Sequence, residues 1–309
     1  MNIRTLCKNK ITLEELKTVK GDINVKNDYG STPFYCVCKN SGFNIEILKY
    51  CCEVLKADIN VKNNNGYIPF HLICLYSNSN NFNMEMLRYC CEVTKADINT
   101  KDRRGNTPFH LICMHSNSNN FNMEMLRYCC EVTKADINTK GYDGFTPFYG
   151  ICLKSDSNGF NMEMLRYCCE DLKADINAKD GGGTTPFHNI CSCSGSKGFN
   201  MEILKYCCEI MKADINDRGI FRATSFHNIC KNISADGFNI EILKYCCEIL
   251  KADINDKNNR GYTPFDYLCK LENNHNILKY LGKNNLLSDE TKNNSKLTTK
   301  EKLRYFKKE

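Results

Sequence analysis

The stretch T-P-F-H-L-I-C at residues 107–113 decides the fold, because the chain repeats it together with a tail, A-D-I-N, found at residues 135–138. The triplet D-I-N recurs at intervals of 36 residues once and 39 residues five times. It begins at Asp22, Asp58, Asp97, Asp136, Asp175, Asp214 and Asp253. A fixed period of this size, recurring this often, predicts a solenoid of stacked units and not a single globular core.

The unit that begins at Asp97 shows how each copy should fold. Thr107 suits an N-cap and Pro108 suits the first helical position, so a short first helix is predicted up to the cysteine at the end of the stretch. Asn122 is a second N-cap residue, and Glu124 follows in the first turn, so a longer second helix begins there. A stripe of side chains on this second helix is predicted to face the core. The stripe is Met123, Leu126, Cys130 and Thr133, with Met125 and Cys129 beside it.

Between each D-I-N and the next T-P-F lies a short polar segment with a glycine, which predicts an exposed tight turn. We call these segments fingers and number them one to seven. They occupy residues 25–31, 61–67, 100–106, 139–145, 178–184, 217–223 and 256–262.

Composition argues against several classes of partner. The chain has 309 residues, and its 42 Lys and Arg against 36 Asp and Glu give a net charge of only +6, so neither nucleic acid nor a membrane surface is expected to bind. The N-terminal residues have no apolar run typical of a signal peptide, and no segment reaches about 18 apolar residues, so no membrane span is expected. We expect a monomer in the cytosol or the nucleus.

Twenty-two cysteines suggest at first a disulfide or zinc framework. The repeat accounts for nearly all of them, because one falls at the end of each first helix and a Cys-Cys pair recurs in the second helix. Only Cys7, Cys36 and Cys193 lie outside these positions. No converging C-x-x-C pairs are present, so we expect no metal and interpret the thiols as reduced core residues.

A turn, a short helix, a longer helix and the T-P-F-H motif together resemble the ankyrin repeat. The resemblance covers residues 1–283 and implies an all-α ankyrin-repeat solenoid of stacked helix-turn-helix units with protruding, hairpin-like fingers. Residues 1–21 would be a capping half-repeat, 22–283 seven repeats with the last truncated, and 284–309 a polar tail. The period exceeds the usual 33 residues. We place five of the extra residues between the helices and one at the end of the second helix, where Lys replaces Gly.

Four histidines recur at the same place in the first helix, which invites a metal or general-base interpretation. They are His71, His110, His188 and His227. The ankyrin resemblance instead implies that this histidine hydrogen-bonds neighbouring turns, and residues one full repeat apart cannot converge on one ion. No phosphate loop, nucleophile elbow or zinc-protease motif occurs. The chain is therefore expected to have no catalytic residues and no cofactor.

The contrast between constant and variable positions carries the functional prediction. M-E-M-L-R-Y-C-C-E is identical at Met84, Met123 and Met162, whereas all seven fingers differ. The resemblance implies that the fingers and the concave face bind partner proteins, which predicts a non-catalytic scaffold or adaptor. The alternatives are a substrate-recruiting adaptor of a ubiquitin-ligase-type complex that uses the tail, and an enzyme. The predicted partner-binding residues are Tyr29, Tyr67, Arg103, Arg104, Asn106, Tyr142, Asp143, Phe145, Phe221, Arg222, Arg260 and Tyr262.

The sixth repeat departs most from the pattern. Arg222 stands where the turn glycine is due, Ser225 replaces the proline, and Gly219 lies three positions early. Two explanations are open at this point. The repeat has drifted and is weaker, or the finger is remodelled to present Ile220, Phe221 and Arg222 as an anchor.

Overall fold

The computed structural model of the chain is built from pairs of short helices. It describes residues 11–39, 43–76, 82–115, 122–153, 161–193, 199–232, 240–271 and 275–294. Within these ranges there is no β-strand, and no helix has the length and apolar character needed to cross a membrane. The prediction of an all-helical repeat architecture is confirmed at this level. The predicted enlarged loops between the helices fall mainly outside the described residues.

The first compact unit is Met1–Ile151. It opens with the helix Leu13–Lys17, which begins with the predicted capping box of Thr12 and Glu15 (Thr12 N to Glu15 Oε2, 2.8 Å). First helices then span Pro33–Val37, Pro69–Leu75 and Pro108–His115, and a fourth, Pro147–Cys152, lies at the boundary of the unit. Second helices begin with Ile45–Lys49, Met84–Arg88 and Met123–Arg127. The first three of these first helices pack against each other in series.

The second compact unit is Cys152–Glu309 and has the same organisation. Its second helices begin with Met162–Arg166, Met201–Lys205 and Ile240–Lys244, and the last is His275–Lys283. Its first helices are Pro186–Ser192, Ser225–Asn232 and Pro264–Leu268. These first helices again pack in series. A short helix, Asp289–Asn294, follows the last repeat.

Each second helix except the last changes into a π-helical turn after its first five residues. In the third repeat the backbone N–H of Thr133 donates to Tyr128 O at 3.1 Å, a bond that spans five residues. A π turn accommodates one residue more than an α-helical turn. It therefore takes up the extra residue that the sequence placed here. The π turns are Tyr50–Val54, Tyr89–Val93, Tyr128–Val132, Tyr167–Asp171, Tyr206–Ile210 and Tyr245–Ile249.

The lysine that follows each π turn ends the helix in the left-handed conformation. Lys134, for example, has φ of 57°. A side chain in this region costs about 1 to 2 kcal/mol, and glycine is the usual residue at this position. The same conformation recurs at Lys56, Lys95, Lys173, Lys212 and Lys251.

We therefore expect Lys134→Gly to raise the free energy of unfolding by about 0.5 to 1 kcal/mol, after allowance for the greater flexibility of glycine in the unfolded chain. The measurement is a urea titration followed by circular dichroism. Lys101→Gly is the matched control, because Lys101 is an exposed lysine without positive φ and its replacement should not stabilise. Equal effects of the two substitutions would contradict this account.

The core of each repeat is a phenylalanine in the first helix together with aliphatic and cysteine side chains of the second. Phe109, Met125, Leu126 and Cys129 are all fully buried. The predicted stripe was partly wrong, since Met123 and Thr133 at its two ends are only half-buried. The core includes Tyr128, the first residue of the π turn, which the predicted stripe left out.

The cysteines at the repeated positions are free thiols, most of them buried. Burial raises the pKa of Cys51 and Cys130 to about 12, so both stay protonated at neutral pH. Cys36, which lies outside the repeated positions and is only half-buried, is disulfide-bonded and departs from the predicted reduced state. Among the described residues, no group of three potential ligands could hold a metal ion.

The last repeat continues beyond residue 283, where the sequence placed its end. The asparagine of each D-I-N typically bonds the backbone that opens the next repeat. Asn255 makes the same two bonds, donating to Leu286 O at 3.0 Å and accepting from Ser288 N at 2.9 Å. The first part of the predicted tail therefore completes the last repeat. Residues 1–10 of the predicted cap and residues 295–309 lie outside the described residues.

Candidate binding surface on the fingers

Five of the seven fingers are closed by an asparagine or aspartate at their third residue. In the second finger, Asn63 Oδ1 accepts hydrogen bonds from Asn65 N at 2.9 Å and from Tyr67 N at 3.0 Å. Gly66 then takes a φ of 79°, which favours glycine. The predicted tight turns are thus confirmed, with a side-chain acceptor that fixes each loop. The equivalent residues are Asn27, Asn63, Asp102, Asp180 and Asn258.

The fourth and sixth fingers carry glycine at this third position, Gly141 and Gly219, and fold differently. Each contains two consecutive residues with positive φ, which are Phe221 (57°) and Arg222 (55°) in the sixth finger. A Cβ on Gly219 would lie 3.1 Å from the ring of His188. Gly219 is therefore not a displaced turn glycine. It stands at the third position of the finger, where a Cβ would make a tight contact with the histidine in this finger conformation.

The four recurring histidines hold the third, fourth, sixth and seventh fingers to the first helix of the repeat before each of them, as the resemblance implied. Nδ1 of His110 accepts from Thr107 N at 3.0 Å, and Nε2 donates to Thr139 O at 2.9 Å. Burial lowers the pKa of His110 and lowers that of His71 to about 4. These rings are neutral and both nitrogens are occupied. They are positioning elements of the fold.

The second helices carry a ladder that explains their constant sequence. Tyr128 Oη donates to Glu92 of the preceding repeat at 3.0 Å, and the guanidinium of Arg88 lies 4.8 Å from the centre of the Tyr128 ring. Arg88 also pairs with Glu124 at 3.6 Å. The second unit repeats the arrangement with Arg166, Glu170, Glu202 and Tyr206. Each polar residue of the invariant motif therefore has a structural role between neighbouring repeats.

Eight of the twelve predicted binding residues are exposed at the fingers. They are Tyr29, Arg103, Arg104, Tyr142, Asp143, Phe221, Arg222 and Arg260. The other four, which are half-buried, are Tyr67, Asn106, Phe145 and Tyr262. Tyr67 packs on His71 with ring centres 5.2 Å apart, and Phe145 packs on Tyr149 at 4.6 Å. Asn106 accepts a hydrogen bond from Tyr142 N at 2.9 Å.

Two aromatic–arginine pairs form at the finger tips, one in each unit. The guanidinium of Arg104 lies 4.9 Å from the ring centre of Tyr142, and that of Arg260 lies 4.9 Å from the ring centre of Phe221. Both rings keep about half of their surface exposed, 52% for Tyr142 and 51% for Phe221. The pairs bring together residues from adjacent fingers, which the sequence did not predict.

No family model matches the chain, and no curated protein matches it either. The function is therefore inferred from the contacts and the exposed side chains of the repeats. The second helices and the histidines hold the repeats together, and the finger tips present aromatic and cationic side chains to solvent.

Sequence reasoning also missed a regular feature of the fingers. The second residue of every finger is basic and exposed. These residues are Lys26, Lys62, Lys101, Lys140, Lys179, Arg218 and Lys257. The signal was available, because the position is as constant as the turn glycine.

Proposed function

We propose that the chain is an ankyrin-type repeat protein that binds a partner protein through its finger tips, without catalysis. The support for the ankyrin type is the helix pair, the Thr-Pro start of most first helices and the histidine that bonds the next finger. We assign no catalytic role to the four recurring histidines, because both ring nitrogens of each are hydrogen-bonded to the backbone.

The observation that carries the binding proposal is the sixth finger. Ile220 and Phe221 are 56% and 51% exposed, and Phe221 and Arg222 both hold a strained positive φ. Exposed apolar area and backbone strain both cost free energy, and together in one loop they are often found at functional sites. Aromatic and arginine side chains are the residue types most often found at binding hot spots.

The sixth finger is also well ordered by its own hydrogen bonds, which favours an anchor over drift. Gly219 N donates to Ala223 O at 2.9 Å, and Arg222 N donates to Gly219 O at 2.9 Å. An isolated antiparallel bridge joins Arg218 and Thr224 at the base of the finger. A drifting repeat would be expected to lose such bonds. The finger instead supports a defined apolar tip.

The test is a double substitution, Phe221→Ala with Arg222→Ala, in the full chain used as bait in an extract of the source cells. We expect recovery of the specific partner to fall at least tenfold, because hot-spot residues dominate binding energy. The melting temperature should not fall, because both side chains are exposed.

Ile210→Ala with Ile249→Ala is the matched control, since these residues are 62% and 63% exposed on the second helices. It removes similar apolar area away from the fingers, and recovery of the partner should be unchanged. A lower melting temperature with undiminished recovery in the finger variant would support drift. Loss of recovery in the control alone would place the binding surface on the second helices.

A further inference from the structure

The basic residue at the second position of each finger forms an ion pair in the second unit but not in the first. In the second unit Lys179 and Arg218 each pair with an acid of the following repeat, and Lys257 pairs with an acid of the helix after the last repeat. Lys179 Nζ lies 2.6 Å from Asp217, Arg218 lies 2.5 Å from Asp256, and Lys257 lies 2.5 Å from Glu290. The charge of these three side chains is therefore neutralised within the protein.

The first unit lacks these acids. The positions equivalent to Asp217 and Asp256 are held there by Val61, Thr100 and Thr139. Among the described residues, none of the four basic residues at the second finger position of the first unit forms an ion pair. We call this set the lysine row, and it consists of Lys26, Lys62, Lys101 and Lys140.

The lysine row follows the direction in which the repeats stack. Lys26 Nζ donates to the backbone oxygen of Lys62 at 3.1 Å, so its side chain extends from the first finger to the second. Helices of adjacent repeats pack about 8 to 10 Å apart, and equivalent ammonium groups are expected to follow the same spacing. The row thus places one exposed positive charge about every 10 Å.

Three acids close to the row in sequence are engaged in local turns, whereas Asp28 and Asp143, in the first and fourth fingers, are exposed. Asp58 and Asp97 each accept a backbone N–H two residues further on, at 2.8 and 2.9 Å. Asp102 is buried and accepts from Arg104 N and Asn106 N, both at 2.8 Å. The same D-I-N turns exist in the second unit, so they do not explain the difference in charge. The exposed Arg103 and Arg104 add further positive charge beside the centre of the row.

We propose that the lysine row binds an extended acidic segment of the partner protein, with a carboxylate at every third residue. An extended chain rises about 3.3 Å per residue, so three residues match the spacing of the row. The charges of a nucleic acid strand are denser, at about 3.4 Å along a duplex strand. This inference rests on the proposed function and adds the chemistry of the partner. The second unit, whose basic residues are paired, does not take part.

The probe is a fluorescein-labelled twelve-residue peptide with Asp at positions 1, 4, 7 and 10 and Ser or Ala elsewhere. Fluorescence anisotropy against the full chain at low ionic strength should show at least tenfold tighter binding than a peptide of the same composition with its four Asp contiguous. Exposed ion pairs are individually weak, so all four are required for this effect. Binding should weaken as salt is added, because surface charges are screened.

The decisive variant transfers the acids of the second unit to the first. Val61→Asp, Thr100→Asp and Thr139→Asp together should weaken binding of the spaced peptide at least tenfold. Lys62→Ser with Lys101→Ser gives the same test if the triple variant fails to fold, since both lysines are exposed. Lys179→Ala with Lys257→Ala is the control in the second unit and should bind as the natural chain does.

Three results would overturn the inference. They are no preference for the spaced peptide, undiminished binding by the lysine variants, and tighter binding of a twelve-nucleotide single-stranded DNA than of the peptide. The proposed function can survive this failure, because it depends on partner recovery by the Phe221 and Arg222 variant. If that variant retains its partner while the lysine variants lose the peptide, the proposed role of Phe221 and Arg222 is contradicted and the proposed role of the lysine row is supported.

Discussion

Lowering the pH from 7 to 4 is expected to destabilise the protein by several kcal/mol, because four buried histidines must become protonated. Burial lowers the pKa of His71 to about 4, and it lowers the pKa values of His110, His188 and His227 as well. In each ring Nδ1 accepts a backbone N–H and Nε2 donates to a carbonyl oxygen. A proton on Nδ1 would point at the backbone N–H that this nitrogen now accepts from. Protonation of the ring would therefore break the capping hydrogen bond.

The loss of stability at low pH follows from the linkage between protonation and folding. An unfolded histidine has a pKa of about 6.5, so below this value the unfolded chain binds more protons than the folded one and stability falls. The contribution of a histidine with a depressed pKa is complete above about pH 6.5 and is lost as the pH approaches the folded value. For His71 alone, a shift from 6.5 to about 4 corresponds to about 3 kcal/mol. Burial is the largest effect on the pKa of His71, and it outweighs the hydrogen bond to Asn106 O and the charge of Asp102, which both act to raise that pKa.

The measurement is urea unfolding followed by circular dichroism at several pH values between 7.5 and 4. His71→Tyr is the informative variant, because the chain itself uses Tyr35 at the equivalent position of the preceding repeat. Loss of the capping bond should make the variant less stable than the natural chain at pH 7.5. The difference should shrink as the pH falls, since one titrating ring has been removed. Parallel pH profiles for the two proteins would show that His71 does not titrate in this window.

The features that the sequence predicted well are those set by neighbours along the chain. The N-caps at Thr107 and Asn122 depend on residues within three positions, and both are confirmed (His110 N to Thr107 Oγ1, 3.4 Å; Met125 N to Asn122 Oδ1, 3.0 Å). The turn glycines depend equally on local backbone geometry. Periodicity then supplied the series of helix pairs, because a repeated local structure must bury its apolar face on its neighbours.

The features that the sequence did not predict depend on contacts between repeats. The period indicated one extra residue near Thr133. It did not predict that a π turn takes up this residue or that the following lysine adopts the left-handed backbone conformation. The meaning of Gly219 depends on His188, which lies 31 residues earlier in the sequence and beside it in the fold. The pairing of Arg218 with Asp256 crosses a whole repeat in the same way.

Within the candidate site, the sequence identified the fingers but could not separate their tips from their bases. Tyr67, Phe145 and Tyr262 are each the last residue of a finger, next to the start of the first helix. Their rings turn back onto that helix, as Phe145 does onto Tyr149 at 4.6 Å. A residue at the end of a finger therefore tends to pack, whereas residues four and five of a finger are free to meet a partner.

Gly141→Ala is expected to lower the free energy of unfolding by about 2 to 3 kcal/mol, the upper range for overpacking a buried site together with the loss of a hydrogen bond. The φ of Gly141 is −100°, so backbone strain is not the reason. A Cβ at this position would overlap Asn106 Oδ1 and lie 2.9 Å from His110 Nε2. Asn106 would have to give up its bond to Tyr142 N, and His110 would have to move from Thr139 O.

Two other glycines provide a graded comparison for the same measurement, a urea titration of each purified variant at pH 7.5. Gly219→Ala brings a Cβ to 3.1 Å from the His188 ring and should cost about 1 kcal/mol. Gly182→Ala meets nothing closer than 3.4 Å at an exposed tip and should change stability by less than about 0.5 kcal/mol. The order of effects is the prediction. A Gly141→Ala variant as stable as Gly182→Ala would mean that the histidine and the finger do not approach each other as closely as the structure shows, and the account of the two glycine fingers would fall with it.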